Sequence, residues 1–330
     1  MTKPTVFAYL IRRLLYAIPI LIGVNLITFA LFFVVNTPDD MARLQLGVKR
    51  VTPEAIEKWK AERGYDKPLL WNAAEQGAAK ATETIFYAKS VRMFAFDFGR
   101  ADDGRDIARE IRHRMWPSLA IAVPTFVLSL FVTVSFALLL VFFRGTALDI
   151  YGTVLCVALM SVSGLFYIIG GQWIVSKIWH WVPISGYAPG LDGVKFLVLP
   201  VIISIIGGIG AGARWYRTIF LEEIGRDYVR TARAKGLSEN AVLFRHVLKN
   251  GMVPILTGVV VVIPALFMGS LLVESFFGIP GLGSYTIEAI GAQDFAVVRA
   301  MVFLGSVLYI VGLILTDISY TVVDPRVRLA

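Results

Sequence analysis

Six runs of apolar residues dominate the chain. They cover residues 14–35, 119–143, 150–175, 196–215, 252–273 and 298–323, and each is close to the ~20 residues a helix needs to cross a bilayer. Six transmembrane helices are therefore expected. The first run lacks the short apolar core of a cleaved leader and reads as a retained span. The last contains Asp317, six residues from its end; at about 1.5 Å per residue that places the carboxylate near the headgroups. Between the first two runs lies a polar stretch, residues 36–115. Within it "TPEAIEKWKAERG" has Thr52 to cap a helix, Pro53 at its first position and Gly64 to stop it. Further on, Leu70, Ala74, Ala78, Ala81 and Ile85 fall at helical spacing.

Composition agrees with the pattern: 57% of the 330 residues are hydrophobic and 17% charged, the balance of a polytopic membrane protein. Charge then orients it. With the N-terminus inside, the inner segments hold 14 Lys or Arg (3, 12, 13, 144, 214, 217, 226, 230, 233, 235, 245, 249, 326 and 328), against Lys177, Lys195 and Arg299 in the short outer loops. Both termini are thus expected on the cytoplasmic side. Residues 36–115 carry 15 basic and 13 acidic residues; so long a segment does not enter the count. It reads as an external helical cap, either resting on the membrane domain or offering a platform to an external partner. The net charge of +8 is then mostly inner-face bias. The expected organisation is 1–35, a first span; 36–115, the external segment; and 116–330, five further spans with a cytoplasmic loop at about 217–250. The single cysteine, Cys156, reads as a packing residue, and "WHWVPISGY" as an outer loop with Trp at the headgroups.

No nucleotide-binding glycine loop and no hydrolase or zinc-protease motif occurs in the sequence. The informative stretch is "RDYVRTARAKGLSENAVLFRHVLKN", residues 226–250. A short helix from Asp227, Gly236 at the left-handed stop, Leu237 as a bridge and Ser238 as an N-cap make a compact basic helix–turn–helix. Val242, Leu243 and Val247 give the second helix an apolar face. A DNA-binding reading fails, because flanking spans pin the unit against the bilayer. A solvated basic loop explains the charge but not the layout. A rigid handle for a cytoplasmic partner explains both.

This stretch resembles the coupling loop of ABC-importer permeases, in the form of the dipeptide/oligopeptide permease B-type family. Arg230-Thr231-Ala232-Arg233-Ala234-Lys235-Gly236 stands where that family has its E-A-A-x-x-x-G core, with Arg230 in place of the Glu. "YLIRRLLYAIPILIGVNLITF", "GYDKPLL", "DFGR", "LLVESFFGIPGLG" and "TDISYTVVDPRVRL" are similar to further family motifs, in order along most of the chain. "NTPDD" departs from the usual Pro-Gly-Asp after the first span, and residues 71–90 are longer than the family pattern. The resemblance implies an all-α type I importer permease in the bacterial inner membrane. It further implies a second homologous permease, two ATP-binding subunits below and an external solute-binding protein above. ATP and Mg would sit on those partners, with no cofactor and no catalysis on this chain. Membrane lipid would surround it, and no nucleic acid would bind. Peptides or peptide-like solutes are the expected cargo; nickel, glutathione, oligosaccharides and peptide-like antibiotics are the alternatives.

Individual residues carry two readings each. Arg230, Thr231, Ala232, Arg233, Lys235, Gly236, Leu237 and Ser238 would contact the ATPase, although the three cations also serve as inner-face charge and Gly236 as a plain helix stop. Gln172 either bonds a neighbouring helix or lines the path. Glu274 is either hydrated at the interface or part of an outer gate. Pro280 marks a turn or re-entrant loop. Ser204, Gly208 and Gly212 recur every four residues, for close helix packing or for contact with the second permease. The rival classes are a stand-alone secondary transporter and a membrane scaffold.

Overall fold

The computed structural model describes residues 6–47 and 51–323; the closing "DPRVRL" motif lies outside them. Helices α1 to α15 account for nearly all the described regular structure, and no strand forms among the described residues. Five helices or helix runs are long and apolar enough to cross a membrane: Ile11–Val35, Ile107–Phe142, Leu191–Ile224, Glu239–Met268 and Phe295–Ser319. At the third position lies a bent pair, Ala147–Ser161 with Gly164–Ile178, which brings the number to six where the pair counts as one broken span.

The described residues divide into two compact units, within α6 (Ile107–Phe142), α14 (Leu282–Ala292) and α15 (Phe295–Val323). One unit comprises residues 6–114 and 285–314. It starts with α1 (Val6–Ala30), which runs into a π-helical turn, Leu31–Val35. Leu14, Leu15, Ile18 and Ile27 stay exposed on α1, as lipid-facing side chains do. "NTPDD" opens an unexpected helix, α2 (Pro38–Leu46). Thr37 and Asp40 form a reciprocal capping box there, each side chain bonding the other's backbone N–H. α3 (Pro53–Arg63) has Thr52 as N-cap, Pro53 first and Gly64 at φ 66. Tyr65 then donates its N–H to Lys60 O at 2.8 Å and packs its ring edge-on to Phe33. Phe29, Phe33, Met41, Ile56, Trp59, Tyr65 and Ile85 form the core of this unit.

The helix expected through Leu70–Ile85 does not form. Only α4 (Ala79–Thr82) and α5 (Ile85–Lys89) are helical there. Gly77 takes φ 60, and Thr84, wholly buried, caps α5 by accepting from Tyr87 N–H, so the chain turns twice within the stretch. Arg299, expected in a short outer loop, lies in the first turns of α15. It is 3% exposed, stacked over Phe33 at 4.7 Å, and donates to Lys89 O at 3.2 Å.

The other unit comprises residues 115–284 and 315–323. Here the expected third span breaks. α7 (Ala147–Ser161) and α8 (Gly164–Gly171, continued by a π turn to Ile178) meet at 89°. Val162 and Ser163 are extended at the bend. The Tyr167 hydroxyl donates to Leu159 O at 2.8 Å, satisfying a carbonyl that the lost helix turn leaves open. α9 (Val194–Ile224) packs along α7. A Cβ at Gly210 would lie 2.5 Å from Cys156 O, so the two backbones touch. Arg217 makes a two-pronged bond to Asp149, at 3.1 and 2.9 Å, between the same helices.

Two outcomes follow from this packing. Gly210→Ala will lower the melting temperature of the purified protein, because neither backbone can yield cheaply; Gly258→Ala, with open space around it, will leave it unchanged or slightly raised. In the other unit, burial followed by the Arg299 charge depresses the Lys89 amine from 10.5 to about 8. Unfolded chain therefore binds more protons than folded between those values, and stability rises with pH across that window. Melting should shift upward from about pH 7.5 to about pH 9.5, and Lys89→Met should flatten that rise.

Candidate translocation cavity and coupling unit

α6 and α9 line a cavity of about 430 Å³ within the second unit, in the size range of small-molecule sites. Thr125, Ser129 and Thr133 of α6 face it at steps of four residues; Ser204, Gly208 and Gly212 of α9 do the same. A Cβ at Gly208 would sit 4.0 Å from Ser129 Oγ, and one at Gly212 3.0 Å from Thr133 Cγ2. Both pairs advance by four, so the two helices run parallel there, glycine opposite hydroxyl. The small-residue face of α9 thus borders a void on this side and packs Gly212 against α6. The hydroxyl row on α6 escaped the sequence reading, although its spacing is visible in "PTFVLSLFVT".

At one end of the cavity α12 (Lys249–Ala265) passes through a short 3₁₀ turn and stops at Gly269, φ 68. The fifth span therefore ends at Met268, not at residue 273. The "ESFFGIPGLG" motif continues as α13 (Leu271–Phe277), the left-handed Gly278, and the turn into α14. Glu274 is 1% exposed, which removes the hydrated-interface reading. Its Oε1 accepts from Ser270 N–H at 3.1 Å; its Oε2 accepts from Gly283 and Ser284 N–H at 2.7 and 3.1 Å. Ser118 Oγ accepts from Leu282 N–H at 2.8 Å. Glycine is required around this carboxylate: a Cβ at Gly269, Gly281 or Gly283 would lie within 1.9 to 2.6 Å of Glu274 or of Ser270 backbone. Pro280 stands inside the turn, where Gly281 N–H bonds Ile279 O at 2.8 Å. Gln172 donates to Ile184 O at 3.0 Å and Phe276 O at 2.9 Å. It ties the loop after the broken span to α13 and is not on the cavity wall.

The basic stretch folds as α10 (Asp227–Ala234), a turn, and α11 (Glu239–Val242), which runs through a π turn, Leu243–Leu248, into α12. Gly236 has φ 77 with nothing within 4 Å of its Cβ position, so glycine serves conformation there, not space. Leu237 N–H bonds Ala232 O, closing the left-handed cap. Ser238 accepts from Ala241 N–H, and Thr231 Oγ1 donates back to Asp227 O. Val229, Ala232, Val242, Leu243 and Val247 are buried in one core with Ala137, Val141, Phe220 and Ile224, and Leu237 packs at its edge. Arg233 spans the turn to Glu239 at 2.8 and 3.0 Å, while Arg230 (76% exposed, beside Asp227) and Lys235 remain on the surface.

Residues 5–329 match the family of binding-protein-dependent transport system inner membrane components. A putative peptide transport system permease protein of Brucella abortus is 32% identical, over 97% of this chain and 99% of its own length. The oligopeptide transport system permease protein AppB of Bacillus subtilis is 28% identical over 97% and 99%. The dipeptide transport system permease protein DppB of Escherichia coli is 29% identical over 97% and 98%. The chain belongs to the binding-protein-dependent transport system inner membrane component family. It is a multi-pass permease subunit of an ABC transporter in the bacterial inner membrane, a transport subunit and not a catalytic one.

The Glu274 geometry generates a sharp expectation. A glutamine there presents one acceptor and one donor to three backbone N–H groups. One end must then oppose like donors, at a cost of about 1–3 kcal/mol for each group left unsatisfied. Glu274→Gln, though isosteric, should reduce the folded amount of membrane-inserted protein, and Glu274→Asp, keeping both acceptors, should lose less. Equal amounts of wild type and Glu274→Gln in detergent-extracted membranes would show the carboxylate brace to be dispensable.

Proposed function

We propose that this chain is one half of the translocation path of a type I peptide importer. A second homologous permease completes the path, an external solute-binding protein delivers the solute, and two ATP-binding subunits hold ATP and Mg; this chain carries no cofactor of its own. Both termini face the cytoplasm and residues 36–115 face outward, as the charge bias argues. Peptide as the cargo is supported by the peptide, oligopeptide and dipeptide roles in the relatives' names.

One observation carries the coupling role: the helix–Gly–helix unit of α10 and α11 shares a buried core with α6 and α9, the helices that line the cavity. Force applied to this unit reaches the cavity wall through packed side chains. ATP-driven closure of the ATPase subunits moves the permease only if the closed dimer holds that unit more favourably in one of its two states. Arg230, Thr231, Lys235 and Ser238 supply the outward surface of the grip. Ala232 and Leu237 anchor the unit, Gly236 sets its angle, and Arg233 adds one ion pair across the turn to Glu239.

The experiment is ATP-driven uptake of a tripeptide into vesicles holding equal amounts of assembled complex. Gly236→Val forces a β-branched residue to positive φ, at about 1–3 kcal/mol of strain, and should abolish most uptake. Arg233→Gln removes one exposed ion pair worth about 0–1 kcal/mol and should keep most of it. Wild-type uptake by Gly236→Val together with a dead Arg233→Gln would make the stretch a charge contact and not a lever.

A further inference from the structure

We propose that the turn formed by residues 91–98, in the polar stretch between the first two spans, is sunk into the leaflet on that side of the membrane. Its partner is lipid, at the boundary of headgroups and acyl chains. Three observations within the first unit carry this. The first is depth. Asn25 lies ten residues before Val35, where its span ends, about 15 Å along the helix. Its Nδ2 nevertheless donates to Ser90 O at 3.3 Å and lies 3.8 Å from Met93 Sδ. On α15, Phe303 is eight residues past the start at Phe295, about 12 Å. It meets Phe94 edge-on at 5.3 Å and Phe98 at 6.3 Å. Both spans receive the turn well inside their ends.

The second is the exposed face. Met93 is buried, whereas Val91, Phe94, Ala95 and Phe96 are exposed, Phe94 at 41% and Phe96 at 53%. Phe96 closes the 3₁₀ turn Val91–Ala95 at φ 57, a left-handed position where glycine is the usual residue. An aromatic ring held outward there gains nothing from water; among acyl chains it is an anchor. Ile27 of α1 and Val302 of α15, near the same depth, are exposed as well, so the turn adds to a lipid-facing surface. The charged residues of the turn, Arg92 and Asp97, pair at 3.4 Å, and an Arg stem can lie in lipid while its head stays at the headgroups.

The third is the backbone. Irregular chain at membrane depth is tolerated only where the protein satisfies its polar groups. Within the turn, the N–H groups of Met93, Phe96 and Asp97 bond the carbonyls of Ser90, Met93 and Arg92. At its entry the spans supply donors: Arg299 serves the Lys89 carbonyl and Asn25 that of Ser90. Both donors are buried, at 3% and 5% exposed. A turn in water would draw such bonds from solvent. Here two polar side chains of otherwise apolar spans are committed to it.

The test places nitroxide labels by Ala95→Cys and Phe96→Cys in a Cys156→Ser background, with Lys58→Cys on exposed α3 as the reference. The complete transporter is reconstituted in nanodiscs of phosphatidylethanolamine and phosphatidylglycerol. Relaxation of each label by oxygen, which concentrates among acyl chains, is compared with relaxation by a water-soluble nickel chelate. The oxygen-to-nickel ratio at Ala95 and Phe96 should be several-fold above that at Lys58. Ala95→Cys removes no ring, so the result there does not depend on what the Phe96 side chain contributes to folding. A ratio at both positions equal to that at Lys58 would put the turn in water. Shielding of both labels from both reagents would put a protein over it. Either result overturns the lipid assignment.

Discussion

Every interruption of a helix in an apolar environment leaves N–H and C=O groups that water cannot reach, and each must find a partner inside the protein. The second unit of this permease depends on how that demand is met. It breaks an apolar helical run at Val162–Ser163, stops another at Gly269 and turns sharply at residues 278–281. The partners are few and specific. Tyr167 serves the carbonyl of Leu159, Gln172 serves those of Ile184 and Phe276, and Ser284 Oγ reaches Ile279 and Gly281. Glu274 gathers three N–H groups at once. A carboxylate is the suitable residue because it offers acceptors on both oxygens and no donor. Burial of that charge is offset only because the donors converge on it, which is why three glycines must leave room.

This arrangement also explains why the region is rigid where the chain is irregular. The 269–284 segment looks like a loop in composition, yet Glu274, Ile279 and Leu282 are among the most buried side chains of the protein. A buried polar network that is fully satisfied fixes one geometry. The cavity it borders therefore has a defined end, and the hydroxyl row of α6 has a defined orientation relative to α9.

Much of the architecture was legible from the chain alone. Apolar runs of span length reveal the membrane helices, and "TPEAIEKWKAERG" states its cap, its first residue and its stop. Gly236 and Ser238 punctuate the basic stretch in the same way. The misses share a cause. Periodicity registers apolar faces, whereas the break inside 150–178, the early end at Met268 and the turns near Gly77 and Thr84 depend on which side chain satisfies a freed backbone group at long range. Nothing local in "SVSGLFY" says that Tyr167 will close the gap behind it. Helix α2 has no counterpart among the expected elements because its cap, Thr37 with Asp40, lies in "NTPDD", which registers there only as a departure from the family motif after the first span. Arg299 was counted as loop charge because its neutral surroundings, Phe33 and the Lys89 carbonyl, come from residues more than 200 positions away.

The coupling unit and the cavity are related by the same physics. α10 is eight residues long, and isolated helices of such length are marginal; α11 is the first turn of the helical run that continues through residues 243–248 into α12. Their stability comes from Val229, Ala232, Val242, Leu243 and Val247 filling the space between α6 and α9. A unit that is folded only as part of the core it shares with α6 and α9 cannot flex independently of them. Close packing makes such an interface stiff, so displacement passes along it and is not absorbed. On α6 the residues that receive the handle, Ala137 and Val141, lie one to two turns beyond Thr133. One helix, α6, therefore packs against the basic helix–turn–helix at one end and lines the cavity at the other, so a shift of α6 against α9 would change the shape of the cavity.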